Sequence, residues 1–344
     1  MKAAQITHYK QEMPVITDVE IPTIKSTDVL VKIVAASINP IDLKTKDGGL
    51  KMLLKYKMPL TLGSDFSGVI VQIGSEVTDY KIGDAVYGRV EKNRIGTFAE
   101  YIATSANVVA PLPKNLTFEE AASIPLVGLT SYQALRDIMN IQPGEKVLIQ
   151  AGSGGIGTIA IQIAKMLGAY VATTTSKENF ELVKSLGADL AIDYKTEDFM
   201  QILSDYDYVF DTQGGKILEN AFKIIKPDGK VVSISGLPNE RFADDYRDSD
   251  GKKLPLWKKY AFKFVTKNLT KLEHESKAEY YFLFMRPDRE QLRTLTTLLE
   301  DGTLHPVIDR IIPFENIDQA FEYSKSGRAK GKIILKMTSE FDEK

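Results

Sequence analysis

The sequence predicts an α/β protein in which a doubly wound parallel sheet is inserted into a β-rich domain built from both chain ends. Three observations carry this. A G-x-G-x-x-G turn, Gly152, Gly154 and Gly157, lies mid-chain between a strand-length apolar run and an apolar-periodic helix. Strand and helix patterns alternate from about Phe118 to Ser235, as parallel sheets require. Short strand-like runs fill the chain before and after that region. At 344 residues the chain exceeds the usual size of one domain, so two are expected.

In order, Ala3–Ile6, Val29–Ile38, Gly68–Ile73, Ala85–Val90 and Phe98–Thr104 read as strands, each bounded by Gly, Pro, Asn or Asp. Lys146–Gln150, Tyr170–Thr175, Leu190–Asp193, Tyr208–Asp211 and Lys230–Ser235 follow, separated by helical stretches such as Thr158–Leu167, Glu178–Leu186 and Gly215–Ile225. Val307–Phe314 and Lys332–Lys336 return to strand character. Residues 238–279 are less regular and strongly charged. Trp257, Tyr260, Phe264 and Leu269 are expected to share a helix face packed on its own domain, a lid over the substrate being the alternative.

A net charge of −2 suggests no nucleic-acid or anionic-membrane partner, and no apolar run approaches a membrane span. The N-terminus is too polar for a signal peptide. Cysteine is absent, which excludes disulfides, thiolate catalysis and cysteine-ligated metal centres. His8, His274 and His305 are scattered and lie in no motif, so no metal site is expected. A cytoplasmic protein is the reading.

The glycine turn carries chemistry. Its first glycine permits the tight turn, the second lets backbone approach a pyrophosphate, and the third allows close helix–strand packing. Amide groups at the helix N-terminus then face the phosphates. The second strand of the unit ends Thr173-Thr174-Thr175-Ser176-Lys177, with no carboxylate until Glu178. Hydroxyls and an ammonium suit a 2′-phosphate, so NADPH is expected over NADH, a solvated helix-entry charge being the alternative for Lys177.

The motifs SINPIDLK (37–44), PLTLGSDFSGVI (59–70), GTFAEY (96–101), GLTSYQAL (128–135), AGSGGIG (151–157), KSLGAD (184–189), FDTQGG (210–215) and GRAKGKIIL (327–335) occur in order over nearly the whole chain. On them the chain resembles the medium-chain dehydrogenase/reductases, specifically their zinc-independent quinone oxidoreductase and alkenal/enone reductase branch. The resemblance implies a GroES-like β-barrel catalytic domain from residues 1–124 and 298–344, and a Rossmann NADP-binding domain from 125–297. Zinc-dependent relatives carry Gly-His-Glu where this chain has Gly63-Ser64-Asp65, and their structural-zinc lobe is missing. Asp65 is expected to be structural, bonding backbone N–H groups beneath the site.

The resemblance also suggests roles. Asn39 would face the nicotinamide and donate to a developing oxyanion; a turn asparagine bonding its own backbone before Pro40 would look the same in sequence. Asp42 and Lys44 match the N-P-x-D-x-K pattern and would orient the ribose or the carbonyl, with a surface ion pair as the alternative. Tyr56 lies in a loop that could reach the cleft. Thr130 would contact the nicotinamide ribose; Gly152, Ser153, Gly154, Gly155, Ile156 and Gly157 the pyrophosphate; Ser176, Lys177 and Tyr194 the 2′-phosphate. Gly236, Leu237 and Lys332 would lie along the nicotinamide end. Asn179 stands where many relatives have a phosphate-binding lysine. The apolar run Ala278–Met285 would pair across a two-fold axis in a homodimer; a monomer with that strand covered by 238–279 is the alternative.

The implied activity is NADPH-dependent hydride transfer, without zinc, to a quinone or to the C=C bond of an α,β-unsaturated carbonyl. A conjugated acceptor delocalises the charge that zinc would otherwise stabilise, leaving the protein to align, hydrogen-bond and exclude water. A crystallin-like protein that binds NADPH without turnover is the alternative.

Overall fold

The computed structural model describes residues 1–247 and 251–337. Two compact units divide it: Met1–Leu129 with Arg286–Lys344, and Thr130–Met285.

The first unit begins with strands β1 (Lys2–Ile6), β2 (Val15–Asp18) and β3 (Asp28–Ile38), helix α1 (Pro40–Lys46), and strands β4 (Leu60–Thr61), β5 (Asp65–Ile73), β6 (Ala85–Arg89), β7 (Tyr101–Ser105) and β8 (Val109–Pro111). The sequence pattern locates most of these. Phe98–Glu100 is excluded from β7, although Ala99 bridges Ala3 singly. The short helices α2 (Phe118–Ala122) and α3 (Pro125–Tyr132) follow.

The second unit alternates strand and helix: β9 (Lys146–Ile149), α4 (Gly155–Met166), β10 (Tyr170–Thr175), α5 (Phe180–Ser185), β11 (Leu190–Asp193), α6 (Phe199–Ile202), β12 (Tyr206–Asp211), α7 (Gly215–Ala221) and β13 (Ile225–Ser233). Three helices, α8 (Glu240–Asp245), α9 (Leu256–Val265) and α10 (Lys267–Ser276), precede the last strand, β14 (Glu279–Phe282). The chain then returns to the first unit with α11 (Arg289–Glu300), β15 (Ile308–Pro313), α12 (Ile317–Lys325) and β16 (Lys332–Lys336).

In the first unit β15-β16-β3-β5-β6-β8, with β7 also on β3, form one sheet, and β2-β1-β4 a smaller one. Pairing is antiparallel except between β15 and β16. Ile6, Phe66, Ile70, Phe98 and Phe321 fill the core. α11 belongs to this unit because Leu292, Leu295 and Leu299 are buried at its inner face. Tyr87 donates to the carbonyl of Leu292 at 2.9 Å. The chain therefore crosses between units at Leu129/Thr130 and Met285/Arg286, whereas the sequence reading placed these boundaries at 124/125 and 297/298.

In the second unit the order β11-β10-β9-β12-β13-β14 is wholly parallel. This is the doubly wound arrangement, with its topological reversal between β9 and β12. Leu148, Ala172, Val209 and Val231 form the sheet's contribution to one face of the core.

The 238–279 segment corrects the sequence reading. Its apolar residues do not share one packed face: α9 ends at Val265 and α10 begins at Lys267. Leu269 is buried, but Trp257, Tyr260 and Phe264 are exposed because Phe262 occupies the inward side of α9. The same segment covers β14. Tyr280 N–H donates to Glu273 (2.7 Å), and its carbonyl accepts from Arg241 (2.7 Å) and Asn239 (3.2 Å). Strand pairing at Tyr280 across a two-fold axis would have to displace those three side chains.

Candidate active site

Between β9 and α4 the chain needs glycine at two positions for packing. A Cβ on Gly152 would lie 2.1 Å from Thr173 Oγ1, and one on Gly157 would lie 2.3 Å from the carbonyl of Ala151. Gly154 differs: its Cβ would meet only that same carbonyl, at 3.3 Å, so its outer side is open. Beyond it Gly155, Ile156 and Gly157 form the first turn of α4, whose amides lack intrahelical acceptors and sit at the positive end of the helix dipole. A pyrophosphate fits this cradle.

Beside it lies a cluster of hydroxyls. Ser153 Oγ accepts from Thr175 Oγ1 (2.9 Å) and from Asn179 Nδ2 (3.2 Å), which leaves its own proton to point elsewhere. Asn179 Nδ2 also donates to Ser176 Oγ at 3.0 Å, while Asn179 Oδ1 is buried without a hydrogen-bond partner. Ser176 is buried and Lys177 exposed; Tyr194 is exposed, its N–H on the carbonyl of Thr175 at 3.2 Å. Glu178 is also present. The Ser176 hydroxyl holds its carboxyl below the usual range, and Lys195 pairs with it at 3.3 Å. Ser153, Ser176 and Asn179 are thus brought together with Thr175, which the sequence reading did not select.

The loop after β13 is fixed from below. Asp211 accepts from Ser233 Oγ (2.5 Å) and from Gly214 N–H (2.9 Å), and Ser233 Oγ in turn accepts from Gly236 N–H at 2.8 Å. A Cβ on Gly236 would fall 2.3 Å from the Tyr280 hydroxyl, which donates to the carbonyl of Leu237 at 2.9 Å. Leu237 itself is exposed. Thr130 is buried in α3. Lys332 belongs to the other unit.

There Lys332 anchors a buried polar cluster. Its Nζ donates to the carbonyl of Ile38 (3.2 Å) and to Asn39 Oδ1, and lies 3.8 Å from Asp65 Oδ2. Asn39 Nδ2 donates to Asp65 Oδ2 (3.0 Å) and to the carbonyl of Ser37 (3.3 Å), and Ser37 Oγ also donates to Asp65 at 3.1 Å. Both ends of the Asn39 amide are therefore engaged inside the unit, in contrast to the oxyanion donor expected from sequence. Asp65 is bonded by side chains rather than by the backbone N–H groups expected from sequence. Burial pushes Asp65 up and Lys332 down, while their mutual attraction opposes both shifts. Arg89, at the end of β6, joins the cluster and was missed in the sequence. The signal was an arginine closing the apolar run AVYGRV.

Asp42 is buried and caps α1, accepting from Asn39 N–H at 2.9 Å. Lys44 is exposed, and two residues apart on a helix the two side chains do not face one another, so no ion pair joins them. Tyr56 is half-buried, with its hydroxyl donating to the carbonyl of Lys92 at 2.6 Å.

Burial, reinforced by Asp65, raises Asp42 from 3.8 to about 7. The native state then holds a proton that the unfolded chain releases between those values. Stability from this group is full below about 4 and is lost as pH rises through about 7. Asp42→Asn keeps an acceptor without the charge. Its melting temperature is expected to depend less on pH than the parent's, the difference approaching an order of 4 kcal/mol over the window. Parallel thermal melts at about pH 5 and about pH 8 test this; identical pH dependence would refute a buried, titrating Asp42.

Cysteine is absent, Ser64 stands beside Asp65, and among the described residues no group of three or more His, Asp or Glu is placed to hold a metal.

A glycine turn at the first strand of a parallel six-stranded sheet, with hydroxyls at the next strand's end, defines a dinucleotide-dependent oxidoreductase architecture. Residues 25–114 match the alcohol dehydrogenase GroES-like domain and residues 186–335 the zinc-binding dehydrogenase domain. The chain is 36% identical to 2-methylene-furan-3-one reductase of Solanum lycopersicum, over 97% of this chain and 79% of that protein. It is 34% identical to the chloroplastic NADPH-dependent alkenal/one oxidoreductase of Arabidopsis thaliana, over 93% and 74%. The quinone oxidoreductase structure from Coxiella burnetii superposes with a TM-score of 0.83 at 30% identity, over 98% and 99% of the two chains. The chain belongs to the medium-chain dehydrogenase/reductases, in their quinone oxidoreductase and alkenal/enone reductase branch.

Proposed function

We propose that this protein is a zinc-independent, NADPH-dependent reductase of quinones or of the C=C bond of α,β-unsaturated carbonyls. The observation that carries the reading is the pairing of an open Gly154 cradle with the Ser153–Ser176–Asn179 cluster, in a chain without cysteine. The relatives named for NADPH-dependent alkenal and furanone reduction support the same chemistry.

When bound, NADPH supplies the hydride. The chain's own residues bind and orient. Gly155 and Ile156 would offer amides to the pyrophosphate, and Ser153 its hydroxyl proton. Ser176 and Lys177 hold the 2′-phosphate, with Tyr194 alongside. Gly236 and Leu237 are held rigid by Asp211, Ser233 and Tyr280, so the loop can position a nicotinamide. Asn39 acts as a positioning residue at the N-cap of α1, while Lys44, exposed on that helix, would orient the ribose or the acceptor carbonyl. A cytoplasmic location is part of this reading, although relatives named chloroplastic and mitochondrial occupy other compartments. Coverage of Tyr280 by its own segment favours a monomer over the edge-paired dimer.

NADPH oxidation under nitrogen with a small enone, a 2-alkenal and a simple quinone tests the proposal. Turnover of any acceptor supports it; tight NADPH binding with no turnover across a broad acceptor panel would favour the silent binding protein. Ser176→Asp places a carboxylate against the 2′-phosphate and should lower NADPH preference over NADH by about tenfold or more. An unchanged ratio of the two kcat/KM values would overturn the assignment of Ser176.

A further inference from the structure

We propose that Glu178 is a specificity-determining residue: its carboxylate occupies the donors that a 2′-phosphate needs, and so limits the preference for NADPH over NADH. The inference rests on the function proposed above, which places the adenosine end of the cofactor beside Ser176. Strand β10 ends at Thr175, and Glu178 follows in the short turn Lys177–Asn179, exposed where Ser176 and Asn179 are buried. Ser176 is committed in both directions. Its Oγ accepts from Asn179 Nδ2 at 3.0 Å, and its proton goes to the Glu178 carboxylate. A serine hydroxyl has one proton to give, so a phosphate takes it only by displacing Glu178.

The same carboxylate holds a cation. Lys195, which follows Tyr194 just beyond β11, places its Nζ 3.3 and 3.4 Å from the two oxygens of Glu178. The acids next to Lys195 in the chain face elsewhere. Asp193 accepts from the Lys195 N–H (3.1 Å) and from Thr196 Oγ1 (3.3 Å), and Glu197 accepts from the Asp193 N–H at 2.8 Å. Glu178 therefore gathers one hydroxyl proton and one ammonium, the donor types that bind a phosphate by charge-assisted hydrogen bonds. A carboxylate of the protein's own stands in the phosphate's place. An incoming 2′-phosphate must compete for both donors and is repelled by Glu178 meanwhile, whereas a ribose 2′-hydroxyl carries no charge and leaves Glu178 where it is. The side chains of Lys195 and Glu178 are 50 and 59% exposed, so parting them costs little. Exchange is thus open to NADPH, at a reduced affinity.

Calorimetric titration of the full-length protein with NADPH and NADH tests this. Adenosine 2′,5′-bisphosphate and adenosine 5′-monophosphate, which carry the adenosine end alone, are titrated beside them. Glu178→Gln keeps the size of the side chain without its charge. It should tighten NADPH and the bisphosphate by about tenfold while NADH and the monophosphate stay within about twofold. Lys195→Gln should move the ratio of the two Kd values the opposite way, weakening NADPH by about tenfold. A merely structural ion pair would instead lower the melting temperature in both variants and leave that ratio unmoved, which would overturn the proposal. Weaker NADH with unchanged NADPH in Glu178→Gln would overturn it too, since that marks a carboxylate that bonds the ribose rather than one that competes with phosphate. A parent protein that binds neither dinucleotide overturns the proposed function and this inference together. A parent that binds NADPH, with a ratio untouched by Glu178→Gln, overturns this inference alone.

Discussion

Lys332→Met is expected to destabilise the first unit by about 3 kcal/mol, the cost of depriving a buried charge of its nearer cation. The lysine lies 3.8 Å from Asp65, which keeps only Arg89 without it, and bonds Ile38 and Asn39, the residues that lead into α1. Asp65 is fully buried, and its Oδ1 already lacks a hydrogen-bond partner, so no solvent compensates the loss. A Lys332→Met, Asp65→Asn double variant removes both charges and should recover much of the stability, because an uncharged pair escapes the desolvation penalty. Denaturant unfolding of the two single variants and the double supplies the coupling energy. Additive effects would show that the pair does not interact. If Asn39 positions α1, the double variant should also change KM and kcat more than Asp42→Asn does, since it removes the donor to Asn39 Oδ1 and the charge of the group that accepts from Asn39 Nδ2.

The second large effect separates two glycines of one motif. Gly157→Ala places a methyl group 2.3 Å from the carbonyl of Ala151 and 2.5 Å from Gly152 Cα, backbone atoms that cannot swing away. The turn must open, and both the melting temperature and NADPH affinity should fall. Gly154→Ala meets only the Ala151 carbonyl, at 3.3 Å, so the fold should survive nearly intact. Its methyl group instead occupies the space through which a pyrophosphate would approach, and NADPH affinity should drop about tenfold or more for a loss of 1.4 kcal/mol or above. Calorimetric titration and thermal melts on both variants decide the matter. Unchanged NADPH binding in a folded Gly154→Ala protein would place the cofactor elsewhere.

Much of the architecture was legible because it rests on local patterns. Tyr170–Thr175, Leu190–Asp193 and Lys332–Lys336 appear as strands with the bounds their apolar runs suggested. A parallel strand buried on both faces is a short unbroken apolar run, which a linear reading detects. The glycine turn was legible for the same reason, since its steric demands involve residues close in sequence. The boundary near α11 was not. Its membership depends on Leu292, Leu295 and Leu299 finding the first unit's core, and an amphipathic helix does not state which core it will meet.

The sequence by itself determined the fold class, the position of the dinucleotide turn, the lack of zinc-binding cysteine, and the family. Each follows from residue type and short-range spacing. Only the tertiary structure decided the roles of side chains brought together from distant segments. Asn39, Asp65, Arg89 and Lys332 converge from four separate segments, and their burial turns one presumed substrate contact inward. Likewise Phe262, by taking the inward side of α9, left Trp257, Tyr260 and Phe264 in solvent. A helix with apolar residues on two sides carries no local instruction about which side will be covered; that choice belongs to the surface it packs against.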